Sequence, residues 1–157
     1  MYWKQPKDIH IVYEAISVLA DKRISLIDNT KAKCFSTSGN KYYEIEYDPE
    51  TESIMSNDNM AYYVRQISYP MVAYLLITER IPFDKDILKH FKDIKWKDIN
   101  QKNKNNYMKS VDEVLEGIEK KGGNILLIKE NIERIFKEIS VLKLKYLGKL
   151  KVPPNVY

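Results

Sequence analysis

Residues 24–56, ISLIDNTKAKCFSTSGNKYYEIEYDPETESIMS, carry the clearest β-sheet signal in the chain. Short runs rich in β-branched and aromatic residues alternate there with polar breaks that are typical of turns between antiparallel strands. The breaks are Asp28-Asn29, Ser38-Gly39-Asn40 and Asp48-Pro49-Glu50. The stretch therefore predicts an antiparallel meander with strands near residues 24–28, 31–37, 41–47 and 52–56.

An amphipathic helix is predicted before this meander. Apolar residues recur at steps of three and four from Ile9 to Leu19, which is the helical period. Asp8 precedes them as a candidate N-cap, since its carboxylate can accept a free backbone N–H of the first turn. The pattern predicts a helix with one face packed inward.

Two further helices are predicted after the meander. Ser68 is a plausible cap, and Pro70 suits a first helical turn because its missing N–H costs nothing there. This helix should run to about Glu79. A shorter helix should follow Pro82, capped by Asp84, and its expected buried residues are Ile87, Leu88 and Phe91.

The last third of the chain opens with a polar, Asn-rich stretch, DINQKNKNNY, at residues 98–107. This composition predicts a solvated linker or an irregular turn, and a boundary near residue 105. The run Ser110-Val111-Asp112-Glu113 then matches a capping box and predicts a helix start. Gly122-Gly123 should end that helix, and Asn124 should start the final one.

The final helix has the most regular apolar stripe in the sequence, at alternating steps of three and four residues. Its central positions are Ile128, Ile132, Ile135, Ile139 and Leu142. Two interpretations stay open: the stripe packs inside its own domain as part of a helical hairpin, or it joins copies of the chain as a coiled coil.

These elements together predict an α+β fold: an N-terminal helix, a small antiparallel meander with a following short helix, and a C-terminal helical hairpin with a long final helix. The predicted division is an α+β domain at residues 1–104, the helical hairpin at 105–150 and a tail at 151–157.

Composition narrows the function class. The 157 residues are 44% hydrophobic and 31% charged, which is typical of a globular protein. No apolar run is long enough to span a bilayer and the start lacks the apolar core of a signal peptide, so a cytoplasmic location is expected. The single Cys34 agrees with a reducing compartment. A net charge of +4, mostly from lysine, indicates at most nonspecific contact with polyanions.

The run CFSTSGNKYYEIEYDPETESIMSNDNMAYYVRQISYPMVAYLL, at about residues 34–77, resembles the SWIM zinc-finger family. In that family a β-hairpin with a Ser-Gly turn leads to Cys-x-Cys, a loop, Cys-x-His and a short apolar helix. The ligand positions fall on Met55, Asn57, Ser68 and Pro70, which cannot supply the thiolates and imidazole that zinc needs. The resemblance therefore implies a metal-free module that binds DNA or other proteins.

Loss of the metal requires another link between the hairpin and the helix, because a structural zinc contributes folding energy. The sequence predicts an apolar substitute. Its expected members are Met55, Met60, Tyr62, Tyr63, Val64 and Ile67.

Candidate catalytic groups are few. His10, His90 and Cys34 have no evident partner in the sequence and are interpreted as structural or solvated. Glu44 and Glu46 share a strand face, where solubilising carboxylates are ordinary. The run SNDN at residues 56–59 offers oxygen ligands for a cation, but a tight polar turn is the favoured interpretation. We therefore expect no enzyme, no cofactor and no metal.

Tyrosine is the unusual component, with 12 in the chain and seven between residues 42 and 74. Aromatic rings beside basic side chains can stack on bases or form a protein-binding patch. The predicted binding surface comprises Lys41, Tyr43, Tyr62, Tyr63, Arg65 and Tyr69. The sequence favours a protein partner or self-association, with nucleic acid as the alternative and no membrane.

Overall fold

The computed structural model describes residues 1–148 and 151–154. Its sheet has five strands in the order β1-β2-β3-β4-β5. The first four form the predicted antiparallel meander: β1 at Ile24–Asp28, β2 at Lys31–Phe35, β3 at Tyr42–Asp48 and β4 at Ser53–Ser56. The short β5 at Lys145–Tyr146 was not predicted, and it pairs with β4 in parallel.

Helices surround this sheet and make the fold α+β, as predicted. They are α1 at His10–Ala20, α2 at Tyr69–Ile77, α3 at Trp96–Lys102, α4 at Tyr107–Lys120 and α5 at Ile125–Leu142. A one-turn π-helix at Met60–Val64 connects β4 to α2, and a 3-10 helix at Lys85–His90 follows α2.

The first helix lies at the centre of the molecule. Helix α1 packs against α2, α4 and α5, and nine of its 11 residues are buried. The prediction of one inward face is therefore wrong, since α1 has neighbours on most sides. Its N-cap is Ile9, with no side-chain cap bond, so the predicted cap at Asp8 is also wrong.

Two of the predicted helix starts are confirmed. The Asp84 carboxylate accepts from the backbone N–H of Asp86 and caps the 3-10 helix. The Asn124 side chain accepts from Leu127 N–H at the start of α5. Both caps depend only on neighbours in sequence, which explains why the sequence could locate them.

The predicted capping box at Ser110 is wrong. Helix α4 starts earlier, with the Asn106 side chain accepting from Lys109 N–H at 3.2 Å. Ser110 lies inside the helix, fully buried, and its hydroxyl accepts from the Asn103 side-chain amide at 3.1 Å. The predicted linker is wrong for residues 98–102, which lie in α3, whereas the alternative of an irregular turn is confirmed at residues 103–105, where Lys104 and Asn105 have positive φ. Trp96 anchors that helix by donating its Nε1–H to the Ser17 hydroxyl at 2.8 Å.

The isoleucine stripe of α5 faces the chain's own core. Ile128, Ile132, Ile135 and Ile139 are buried, while Leu142 is partly buried. These side chains belong to the same apolar cluster as α1 and α2, so the stripe is not a free seam for another copy. The cluster spans the predicted division at residues 104 and 105 without a break. Residues 149, 150 and 155–157, in the predicted hairpin and tail, lie outside the described residues.

Candidate ligand-binding cleft

A cleft of about 800 Å³ opens between two groups of elements. One wall comes from α1, α3 and the first residue of α4. The other comes from the hairpin between β2 and β3, the π-helix and the start of α2. The volume lies within the range of about 300–1,000 Å³ that is usual for small-molecule sites.

His10 lies on the cleft face of α1 and is 8% exposed. Its ring stacks on the Tyr107 ring, with the centroids 4.0 Å apart and the planes 5° from parallel. Its Nδ1 is buried without a hydrogen-bond partner among the described residues. Burial lowers the pKa of His10, although the nearby Asp8 carboxylate acts in the opposite direction. The imidazole is therefore neutral at physiological pH, and one of its nitrogens is buried without a partner among the described residues.

Glu14 lies one helical turn after His10, so the two side chains share the same face of α1. The Asn100 amide of α3 donates to its carboxylate at 3.3 Å. Burial raises the pKa of Glu14 to about 7, and this effect exceeds the opposing influences of Asn100 and of the Arg23 guanidinium. The Glu14 carboxyl group therefore titrates near neutral pH.

Asp58 is the second buried carboxyl of the cleft. Its Oδ1 accepts from the Ser56 and Ser68 hydroxyls, and its Oδ2 accepts from Ala61 N–H at 3.1 Å. Complete burial raises the pKa of Asp58, although the three donors oppose that shift. These bonds link the end of β4 to the π-helix and to the start of α2.

The link between hairpin and helix is thus polar at its centre. Ser68, at a ligand position implied by the SWIM resemblance, contributes to it through Asp58. Met55 and Ile67 are buried as expected of an apolar substitute, whereas Tyr63 and Val64 are exposed. The prediction of a wholly apolar link is therefore wrong.

Two tyrosines extend the buried polar lining. The side chains of Tyr43 and Tyr69 both line the cleft and influence each other's pKa. Burial raises the pKa of Tyr43 to about 12 and that of Tyr69 well above its ordinary value, so both phenols stay protonated. Burial also raises the pKa of the Cys34 thiol to about 12, which makes it an unreactive core residue as predicted.

The mouth of the cleft is basic and rich in hydroxyl groups. Lys97 of α3 and Lys41 line it, with the Lys41 ammonium 5.6 Å from the centre of the Tyr43 ring. The loop from Ser36 to Asn40 completes this edge, and Gly39 provides the positive φ of 74° that its turn requires. Tyr63 stands beside the mouth with 71% of its surface exposed.

The predicted binding surface divides between the cleft and the outside. Lys41, Tyr43, Tyr63 and Tyr69 line the cleft, whereas Tyr62 and Arg65 do not. The Arg65 guanidinium lies over the Tyr62 ring at 5.7 Å.

Part of the tyrosine-rich stretch belongs to the core. Tyr43, Tyr47 and Tyr74 are buried, and they pack between the sheet and α2 or along the cleft. Sequence reasoning also placed His10 among structural residues and did not single out Glu14. The available signal was their i, i+4 spacing on an otherwise apolar helix.

The other candidate groups are not brought together. Glu44 pairs with Lys151 at 3.3 Å, and Glu46 lies 3.8 Å from Lys31. Within residues 1–148 and 151–154, no three His, Cys, Asp or Glu side chains are grouped to hold a metal ion. No helix in that part of the chain is long and apolar enough to cross a membrane.

The fold and the cleft define an α+β domain with a polar, partly enclosed pocket between its helices and its sheet. The chain belongs to the family described as uncharacterised conserved protein UCP014422, whose model matches residues 3–145. The matched span includes every residue that lines the cleft. No curated protein and no solved structure matches the chain.

Proposed function

We propose that this protein is a non-catalytic, cytoplasmic binding protein that takes a small polar ligand into the cleft. The observation that carries the proposal is the cleft of about 800 Å³, whose lining includes the buried residue His10 with an Nδ1 that has no hydrogen-bond partner among the described residues. Buried polar atoms in folded proteins almost always have a partner, because leaving one without a partner costs about 1–3 kcal/mol. A bound ligand that supplies the missing hydrogen bond accounts for both the pocket and this atom.

The experiment is a thermal-shift screen of polar metabolites against wild type and Glu14→Gln. A ligand at about 100 times its Kd stabilises the folded state by roughly 2.7 kcal/mol, which is readily measured as a rise in Tm. The matched control is Glu130→Gln, at an exposed position of α5. We expect hits that shift wild type and the control but shift Glu14→Gln less. Absence of any hit, or equal shifts in all three proteins, would contradict the proposal.

A protein partner is the second candidate, and one observation favours it. Strand β1 has β2 as its one neighbour in the described sheet, and it exposes Leu26 and Ile27, the latter at 56%. Exposed sheet edges can accept a strand from another chain. We expect Ile27→Lys to abolish such pairing without changing ligand binding, as measured by light scattering and by the thermal-shift screen.

The SWIM resemblance implies a metal-free module, and absence of zinc remains part of the proposal. The expected result is no stoichiometric zinc in protein purified without added metal, measured by elemental analysis. One zinc per chain after tag removal would contradict it.

A further inference from the structure

The cleft lining carries both signs of charge. Asp58 is buried and Glu14 is half-buried, with burial the main influence on its carboxyl group, and we call these two residues the floor; Lys41 is half-buried and Lys97 exposed, and we call these two the mouth. Asp58 already accepts three hydrogen bonds, while Asn100 is the single donor to Glu14 among the described residues. Glu14 is therefore the floor group with unused acceptor capacity. A ligand that matches this arrangement carries N–H donors at its inner end and negative charge at its outer end.

Aromatic side chains also line the cleft. The stacked rings of His10 and Tyr107 contribute to one wall, and Tyr63 with Met60 contributes to the other. Flat π surfaces and a polarizable thioether favour a planar, aromatic ligand body. The middle of the ligand should therefore be a ring system.

Nucleotides combine these three properties, and the floor distinguishes among the bases. Guanine presents two adjacent donors, N1–H and its 2-amino group, which a carboxylate such as Glu14 can accept in parallel. Uracil and thymine place carbonyl oxygens beside their N–H, and these would repel the carboxylate. Adenine and cytosine each place a ring acceptor beside the amino group.

The residues at the mouth of the cleft can bind a phosphate group. Lys41 and Lys97 provide positive charge, and the hydroxyl of Thr37 provides a neutral donor. Charge-assisted bonds of this kind are stronger than neutral ones, and lysine acts as a point charge toward phosphate.

Resting on the proposed function, we propose that the cleft binds a guanosine 5′-phosphate, with the base against Glu14 and the phosphate at Lys41 and Lys97. The same chemistry occurs in a free nucleotide and in the phosphorylated first nucleotide of a single strand. The cleft recognises the nucleotide unit in either source.

Calorimetric titration with matched nucleotides tests this proposal. We expect GMP to bind roughly 10-fold or more tightly than IMP, which lacks the 2-amino donor, and than AMP. Guanosine, which lacks the phosphate, should also bind more weakly than GMP. The affinity for GMP should fall as salt rises, while that for guanosine should change little. Equal binding of GMP, AMP and UMP would overturn the proposal.

Substitutions at the floor and at the mouth of the cleft test where the base and the phosphate of the ligand bind. Glu14→Gln should remove the preference for GMP over AMP, and Glu14→Asp, which withdraws the carboxylate by one methylene, is the second variant if the first does not fold. Lys41→Ala combined with Lys97→Ala should lower GMP affinity to that of guanosine. Matched controls are Glu130→Gln and Lys137→Ala, both at exposed positions of α5. Unchanged base preference in both Glu14 variants would overturn the assignment of the floor.

A final comparison distinguishes a free nucleotide from a nucleic-acid strand as the natural ligand. It also distinguishes a failure of this inference from a failure of the proposed function. A short 5′-phosphorylated oligonucleotide beginning with guanosine should bind more tightly than GMP if a strand is the natural ligand, and no more tightly if a free nucleotide is. A cleft ligand from the metabolite screen that is not a guanine nucleotide, with no GMP binding, would overturn this inference and leave the proposed function standing. Absence of any cleft ligand would overturn both.

Discussion

The isoleucine stripe of α5 and the floor of the cleft are buried to a similar degree but have opposite chemistry. Ile132, Ile135 and Ile139 have no exposed surface and lie in the apolar cluster. His10 and Asp58 are 8% and 5% exposed, yet they bring an imidazole and a carboxyl into the interior. Burial of apolar surface stabilises a fold, whereas burial of polar groups opposes folding unless every group is paired. The floor therefore indicates a requirement other than stability.

This difference leads to opposite expectations for substitutions. Changes in the stripe should lower stability and leave ligand affinity intact in the folded fraction. Changes at Glu14 and Tyr63 in the cleft should alter ligand affinity while stability changes little or even rises, as is common where function has placed unfavourable groups in a site. Stability and binding measured on the same variants thus separate the two regions.

The largest expected effect is that of Ile135→Ala. Truncation of a fully buried isoleucine leaves a cavity and typically costs about 2–5 kcal/mol, out of a total stability of roughly 5–15 kcal/mol. The melting temperature should fall sharply, and circular dichroism on heating measures it. Because the stripe packs within one chain, the loss should not depend on protein concentration.

The control for Ile135→Ala is Val141→Ala, on the same helix at a position that is 73% exposed, which should melt like wild type. A concentration-dependent loss, with a shift to lower mass in light scattering, would instead identify the stripe as a seam between copies. Unchanged melting would contradict the burial itself.

The next largest effect on stability is expected for Glu14→Gln, and its size should depend on pH. The folded-state pKa of Glu14 is about 7, against an ordinary value of 4.5. Between these values the folded state holds a proton that the unfolded state has released, so stability falls as pH rises and levels off above about pH 7. By pH 8 this fall lowers the free energy of unfolding by about 3 kcal/mol. Glutamine removes it, so the variant should be more stable than wild type at pH 8 and similar to it near pH 4.5.

Chemical denaturation of both proteins across this pH range measures that difference. The groups facing the Glu14 carboxyl are Asn100 of α3, Arg23 and Tyr69 of α2. All of them, and His10 on the same helix, are present in both proteins, so the difference between the two stability curves isolates Glu14. A difference that does not vary with pH would contradict the raised pKa.

Local signals in the sequence were sufficient for most of the fold. The four strands of the meander and the caps at Asp84 and Asn124 depend on neighbouring residues, and the sequence located them all. Strand β5 has two residues, too few for an alternation to show, and its partner β4 lies some 90 positions earlier in the chain. Trp3 secures the same region by donating its Nε1–H to the Ile54 carbonyl at 2.9 Å, another contact that no local pattern reveals.

The cleft was not predicted from the sequence because helix α3 was not predicted. The polar stretch at 98–107 was interpreted as a linker, but its first half forms α3, which is the wall that covers Glu14. Without that wall, the sequence pattern indicates that Glu14 is an exposed acid on an amphipathic helix and that His10 is a structural histidine. Asp58 reads as a turn residue because its donors, Ser56 and Ser68, are joined by folding rather than by spacing. Composition alone could not distinguish a polar linker from a polar helix that covers a pocket.

A smaller stability effect is expected at the polar link. Asp58→Asn keeps one acceptor for the two serines, but its amide turns a donor toward Ala61 N–H, which then loses its partner. An unsatisfied buried N–H costs about 1–3 kcal/mol. Asp112→Asn, at an exposed position of α4, is the control. A double-mutant cycle of Asp58→Ala, which removes the acceptor, with Ser68→Ala, followed by denaturant unfolding, should show coupling, and additive effects would contradict the hydrogen bond between Asp58 and Ser68.

The smallest effect on stability, and the most informative about the cleft, is expected from two adjacent tyrosines. The rings of Tyr62 and Tyr63 contact each other edge to face at 4.9 Å, but Tyr63 lines the cleft and Tyr62 does not. Because Tyr63 is 71% exposed, Tyr63→Ala should change unfolding free energy by no more than about 0.5 kcal/mol. Loss of its ring should nevertheless weaken GMP by roughly 5- to 150-fold, since stacking on one base is worth about 1–3 kcal/mol. Tyr62→Ala and Arg65→Ala should leave that affinity near wild type. If all three variants weaken binding equally, the ligand contacts the outer surface predicted from the sequence, and the cleft is not its site.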